Sequence, residues 1–225
     1  MAKNIKILIV DDHQLIIEGI LTALKNIDGL TTETCNNCDE AFSKIKTAVH
    51  DVPFDILFTD LSFDNVTENS TLDGGESLIK AIRNLNIDIK VGIITGHTET
   101  NRIFNVVQNL EPITYLLKDK CNTEELQFAI SKMMKNEMYY SHEVHQKLLK
   151  RALVEIQMDE VAIQILKELP KHPKISNLEG VIKKDDGSLL KIRSIENKLA
   201  KLRTDLQANN NTHLVLKAIE LGIID

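Results

Sequence analysis

Five polar residues fall at the C-terminal ends of four short apolar runs. Asp11 and Asp12 follow Ile5 to Val10, Asp60 follows Phe54 to Thr59, Thr95 follows Val91 to Ile94, and Lys118 follows Ile113 to Leu117. Short apolar runs separated by helical patterns read as buried strands of a parallel sheet. In an open α/β sheet the ligand site lies beyond the carboxyl ends of the strands. Three carboxylates, a hydroxyl and an ammonium are therefore expected in one pocket. Clustered carboxylates repel one another and require a hard divalent cation with oxygen ligands, Mg2+ above all. Together with a lysine and a hydroxyl, such a site can hold a phosphoryl group. A carboxylate can also be the nucleophile and become an aspartyl phosphate.

The elements that must position these residues alternate along the first half of the chain. The patterning predicts strands near 5–10, 30–34, 54–59, 90–94 and 113–117, and helices near 14–26, 39–48, 75–84, 99–109 and 123–136. The first helix shows an apolar stripe of Leu15, Ile16, Ile20, Ala23 and Leu24. No GxGxxG follows the first strand, so the dinucleotide fingerprint is missing. Between Asp60 and the turn Asp73-Gly74-Gly75 runs a polar loop, Leu61 to Leu72, carrying Asn65, Thr67, Glu68, Asn69, Ser70 and Thr71. Such a loop beside the acceptor can cover it or dock a partner, and Asp64 or Glu68 can approach a metal, but a tolerated surface insertion is the simpler expectation.

The first 137 residues resemble the receiver domain of two-component response regulators. The pieces that carry the resemblance are ILIVDDH, ILFTDLS, GIITGH and YLLKD. The resemblance implies a flavodoxin-like, doubly wound, five-stranded parallel sheet with Asp60 as phosphoacceptor. It implies Mg2+ bound by Asp12 directly, by Asp11 through water, by Asp60, and by the backbone carbonyl of Ser62. It makes Thr95 the switch hydroxyl, Lys118 the phosphate partner and Tyr115 the switch aromatic. Ser62 and His97 would flank the path of attacking water. On phosphorylation Thr95 and Tyr115 would move toward the site and change the surface of helix four, strand five and helix five, a population shift between two states.

The remainder reads as helical. Residues 138–157 form a linker, with helical spacing from Glu143 to Ile156 through Val144, Leu148, Leu149, Ala152 and Leu153. His142 and His145 beside Glu143 are read as solvated linker residues. In 158–225, one apolar helix (Val161 to Leu169) is stopped by Pro170 and Pro173. Ser176 is a candidate cap for a short helix through Ile182. A polar turn spans Lys183 to Ser188. A long helix occupies about 191–206, and a last one, about 211–221, is capped by Asn210 or Asn211. At 100° per residue Ile195, Leu199, Leu202 and Leu206 share one face of the long helix and belong in a core. The opposite face presents Arg193, Asn197, Ala200, Lys201 and Thr204, small and polar groups suited to a DNA major groove.

This region resembles the LuxR/NarL-type helix-turn-helix output domain. RSIENKLAKL stands in the place of the recognition helix, and THLVLKAIELGII is similar to the terminal helix. Two departures stand out: the turn before the recognition helix is longer than usual, and Glu196 occupies a position that is often basic. An acid there repels phosphate.

Composition sets the outer bounds. The chain has 225 residues, 43% of them hydrophobic, and a net charge of -6. Residues 1–140 carry 13 Lys+Arg against 21 Asp+Glu; residues 141–225 carry 14 against 12. An acidic front and a locally basic back suggest an anionic partner for the back half. The N-terminus reaches a strand pattern at once, and no apolar run is long enough to span a membrane, so a cytoplasmic protein without membrane contact is expected. Three cysteines make no disulfide framework, and the lone CxxC of Cys35 and Cys38 reads as ordinary small residues.

The expectation is a phosphorylation-regulated transcription factor rather than an enzyme. Its partners would be a cognate sensor histidine kinase and double-stranded DNA, and it would act as a homodimer when phosphorylated. The alternative is a receiver-controlled protein-interaction module that does not bind DNA. A phosphatase of the haloacid dehalogenase type fits poorly, because Asp60-Leu61-Ser62 lacks the second Asp of DxDxT.

Overall fold

The computed structural model describes residues 4–25, 27–184 and 186–224, without the side chains of 155–157. The chain divides into two compact units, Met1–Thr98 with Asn105–Val144, and Glu99–Phe104 with His145–Asp225. The end of the first expected helix (Asn26) and Asp185 of the polar turn lie outside the described residues, as does the side chain of Ile156.

Up to Tyr140 the chain alternates β1 (Ile5–Val10), α1 (Gln14–Leu24), β2 (Leu30–Cys35), α2 (Cys38–Ala48), β3 (Ile56–Thr59), α3 (Gly75–Asn84), β4 (Lys90–Thr95), α4 (Thr100–Leu110), β5 (Thr114–Leu117) and α5 (Thr123–Met134), followed by β6 (Tyr139–Tyr140), all in the first unit except the start of α4. All strand pairs are parallel, in the order β2-β1-β3-β4-β5-β6. The sheet is wound on both faces because its central strands are apolar on both. Ile7 and Ile9 enter a core with Ile20, Leu24, Leu126, Ile130 and Met133 from α1 and α5. Leu8 and Val10 enter a second core with Ala41, Ile45, Leu78 and Ile82 from α2 and α3. That is the period-two alternation of a strand with no face left for water.

The sheet has six strands, one more than the sequence suggests. Tyr139 N–H donates to the Ile113 carbonyl at 2.9 Å and Ser141 N–H to that of Tyr115 at 3.0 Å. The Tyr139 hydroxyl bonds Glu125 and the Tyr140 hydroxyl the Pro112 carbonyl, each at 3.0 Å. A two-residue strand leaves no periodicity to read, so residues assigned to the linker by sequence add an edge to the sheet.

The second unit contains α6 (His142–Gln157) from His145 onward, α7 (Glu160–Glu168), α8 (Ile192–Asp205) and α9 (Asn211–Glu220). Its core gathers Ile165, Leu166, Leu178, Ile182, Ile195, Leu199, Leu202 and Leu214. The Asp159 side chain caps α7 by accepting the Ala162 N–H at 2.9 Å, and Asn210 caps α9 by accepting the His213 N–H at 2.8 Å. Ser176 is not a cap. It lies inside a one-turn 3-10 helix, Ile175–Leu178, whose N-cap is Lys174 with no side-chain bond. Pro173 and Gly180 bracket the segment, and both weaken a longer helix.

Candidate functional site

Sheet register brings the strand-end residues together. Val10 pairs with Thr59 and Thr95 with Leu117. One step further, Asp60 N–H donates to the Val10 carbonyl at 3.0 Å and Lys118 N–H to the Thr95 carbonyl at 2.9 Å. Asp11, Asp60, Thr95 and Lys118 therefore leave neighbouring strands at the same edge.

Lys118 Nζ lies 2.7 Å from Asp11 Oδ2 and 2.7 Å from Asp60 Oδ2. Both carboxylates are buried, Asp11 at 2% exposure and Asp60 at 6%. Burial alone would lower the Lys118 pKa. The hydrogen bonds and negative charges of Asp11 and Asp60 outweigh it and hold the ammonium above its ordinary value. The other Asp60 oxygen, Oδ1, accepts the Leu61 N–H at 2.6 Å.

Asp12 faces a different set of partners. Its Oδ2 accepts the Asp64 N–H at 2.6 Å. Its Oδ1 is buried and accepts no aligned hydrogen bond among the described residues, although His13 Nδ1 sits 2.9 Å away. The same ring nitrogen is 3.3 Å from Asp11 Oδ1. Asp11, Asp12 and His13 are the one acidic group among the described residues whose atoms converge closely enough to hold a metal. A buried carboxylate oxygen without an aligned donor, beside the Asp11 carboxylate, fits a hard cation.

Around this centre, Thr95 is fully buried and its hydroxyl accepts the His97 N–H at 3.4 Å. Tyr115 is also fully buried. The Ser62 hydroxyl and His97 Nε2 are hydrogen-bonded at 2.7 Å. Asp60 is held from below by the start of α3: Gly75 N–H donates to the Leu61 carbonyl at 3.1 Å, and a Cβ on Gly75 would stand 1.8 Å from the Asp60 carbonyl oxygen. The loop 61–72 is anchored rather than free. Beyond the Asp12–Asp64 bond, Asn65 bonds the Asn36 carbonyl at 2.7 Å and Thr71 N–H donates to Asp39 at 3.0 Å. Asp64 has a side chain 91% exposed and approaches the centre only through His13, at 3.9 Å.

Cys35 and Cys38 are buried in the α2–α3 core. Burial, and for Cys38 also the charges of Asp39, Asp73, Asp12 and Asp60, pushes their thiols up to about 11 and about 12. Protonated thiols are poor ligands and nucleophiles. His142 and His145 are exposed, and Glu143 pairs with Lys120.

In the second unit α8 is two-faced. Ile195, Leu199, Leu202 and Leu206 are buried, whereas Arg193, Asn197, Ala200, Lys201 and Thr204 are exposed, as is Glu196. Three contacts that the sequence does not foretell set the pose of this helix. Lys198 pairs with Asp159 at the head of α7. Arg203 donates to Asn211 at 3.0 Å. Glu179 accepts the Ile192 N–H at 3.2 Å, satisfying one of the free amides that begin a helix. Their partners lie 8 to 39 residues away, so no local pattern announces them. His13 had a signal, since it adjoins the acidic pair in ILIVDDH.

Comparison with known proteins agrees with this geometry. The chain is 23% identical over 222 residues to response regulator GacA of Pseudomonas aeruginosa, covering 98% of each chain. It is 24% identical over 224 residues to response regulator protein VraR of Staphylococcus saprophyticus, covering 98% of this chain and 99% of that one. Among solved structures it shares its fold with RcsB in an assembly of two dimers bound to two parallel DNAs (TM-score 0.61, 19% identity, 97% of this chain and 99% of that one). Another is RcsB of Salmonella enterica serovar Typhimurium bound to promoter P1flhDC with a phosphomimetic (TM-score 0.55, 17% identity, 97% and 100%). The profile of the response regulator receiver domain matches residues 7–131, more than half of the sequence, and the chain belongs to that family.

Proposed function

We propose that the protein is a phosphorylation-regulated, DNA-binding transcription factor that takes a phosphoryl group onto Asp60 from a sensor histidine kinase. The observation that carries this reading is the Lys118 ammonium shared by Asp11 and Asp60 at 2.7 Å. A fixed cation beside Asp60 supports reading that carboxylate as the phosphoryl acceptor. A carboxylate oxygen of Asp60 attacks phosphorus, the bond from phosphorus to the donor nitrogen breaks, and Lys118 neutralises the phosphoryl oxygens. Asp11, Asp12, Asp60 and the Ser62 carbonyl would hold Mg2+, which when bound would supply further charge neutralisation. Thr95 then donates its hydroxyl to a phosphoryl oxygen and Tyr115 repacks. The receiver unit thereby shifts its population toward a dimerising state.

The output reading rests on the exposed face of α8 and on relatives whose structures contain DNA. Arg193, Asn197, Ala200, Lys201 and Thr204 would meet the duplex. The exposed Glu196 favours a second reading, in which the helical unit docks on a protein instead.

One experiment addresses both halves. The full chain is treated with beryllium fluoride and Mg2+, and duplex binding is followed by fluorescence anisotropy at several salt concentrations. Phosphomimetic-dependent, salt-dependent binding is expected in the wild type, with Asp60→Asn unresponsive because an amide is a poor nucleophile and ligand. An Asp60→Asn response equal to wild type refutes the acceptor. Sequence-blind binding unaffected by Lys201→Ala moves the protein-docking reading into the lead.

A further inference from the structure

The polar turn before α8 is a built hairpin. Lys183 and Leu189 form an antiparallel bridge. It is closed above by Lys184 N–H to the Ser188 carbonyl at 2.9 Å and below by Leu190 N–H to the Ile182 carbonyl at 2.8 Å. Gly187 turns the tip with φ +78°, a conformation that favours glycine. The base is planted: Ile182 and Leu190 belong to the core, and Lys183 N–H donates to Gln164 of α7 at 3.1 Å. The chain leads from this closed base through Lys191 straight into α8.

The charges on this segment are unequally engaged. Asp186 is exposed but tied within the turn, its Oδ1 accepting both the N–H and the hydroxyl of Ser188 at 2.8 and 2.6 Å. Lys183, Lys184, Lys191 and Arg193 are all exposed. No hydrogen bond or ion pair engages their side chains among the described residues, although the charge of Lys184 is felt by Asp186. A recognition helix enters the major groove with its N-terminal residues foremost, so whatever abuts that end lies beside the sugar–phosphate rim. Ser188, bonded to Lys184, is five residues from Arg193, a span of at most about 18 Å. The groove itself is about 12 Å wide.

We propose that the hairpin 183–189 is a phosphate clamp for duplex DNA, with Lys183 and Lys184 gripping the backbone flanking the groove that α8 reads. The clamp rests on the reading of α8 as a DNA-reading helix. It supplies the phosphate attraction that Glu196 removes from the helix itself. Phosphate contacts position a protein without reading sequence, so the clamp strengthens binding on all duplexes alike.

The test is an anisotropy titration of the full chain against a selected duplex and a scrambled one, over a salt series. Lys183→Ala/Lys184→Ala is expected to flatten the slope of log K against log salt by about 1.8 units, about 0.9 for each phosphate left without its lysine. The ratio of affinities for the two duplexes should stay unchanged. Lys167→Ala/Lys171→Ala, an equal loss of charge away from the hairpin, should leave the slope at the wild-type value. A hairpin variant with wild-type slope and affinity, in a protein where Lys201→Ala does weaken binding, overturns the clamp while leaving the reading of α8 standing. A wild type that binds no duplex at low salt overturns both.

Discussion

Replacing Lys118 by methionine removes the cation shared by Asp11 and Asp60 while keeping most of its apolar stem. The two carboxylate oxygens that share the ammonium each lie 2.7 Å from it, and the two distances added bound their separation at 5.4 Å. At that separation two unit charges repel by about 3 kcal/mol at an effective dielectric constant near 20. Breaking a buried pair by deleting one partner costs about 3–5 kcal/mol. The Lys118 side chain is 14% exposed, which places the expected loss at the lower end, about 3 kcal/mol at pH 7 without Mg2+. The assay is urea unfolding followed by tyrosine fluorescence. The chain has no tryptophan, and its three tyrosines, Tyr115, Tyr139 and Tyr140, all belong to the first unit. The pH dependence has a definite sign. The folded-state pKa of Lys118 is raised, so its contribution is complete below the unfolded-lysine value of about 10.4 and is lost only as pH rises through the folded value. The deficit of the variant should therefore be constant across neutral pH. It should shrink on adding Mg2+, which would replace the missing charge. A deficit below about 1 kcal/mol at neutral pH, or one that Mg2+ does not reduce, refutes the electrostatic account of this centre.

Glycine substitutions separate the acceptor support from ordinary helix positions. Gly75→Ala forces a Cβ to within 1.8 Å of the Asp60 carbonyl and should cost at least about 1–3 kcal/mol, with loss of the beryllium fluoride response. Gly19→Ala, with nothing within 4 Å of the new Cβ, should raise the unfolding midpoint by the equivalent of about 0.5–1 kcal/mol. Equal effects at the two sites would contradict the geometry. Glu196→Lys should tighten binding to a scrambled duplex and steepen its salt dependence by about 0.9 units if the new cation meets a phosphate. Unchanged anisotropy curves would mean that this position faces solvent.

The front of the chain was legible because the chemistry and the strands share one signal. Apolar runs buried on both faces can only be central strands, and a charged residue ending each run can only lie at the sheet edge. Asp11, Asp12, Asp60, Thr95 and Lys118 followed from that without any knowledge of contacts, as did the buried and exposed faces of α8 from its period. What the linear pattern could not carry are contacts whose partners are far apart in the chain. Register alone decided that one ammonium would bridge Asp11 and Asp60. The core on each face decided that Cys35 and Cys38 are inert packing residues. The edge of β5 recruited Tyr139 and Tyr140 into a sixth strand too short to have a period. Between α7 and α8, a run of lysines, aspartates and a glycine reads simply as a polar turn. Only the planting of Ile182 and Leu190 in the core, and the bond that Lys183 N–H donates to Gln164, tie the two ends of this turn together at the head of α8. Local propensity is written residue by residue, whereas the position of one element against another is set by burial and hydrogen bonding summed over the fold.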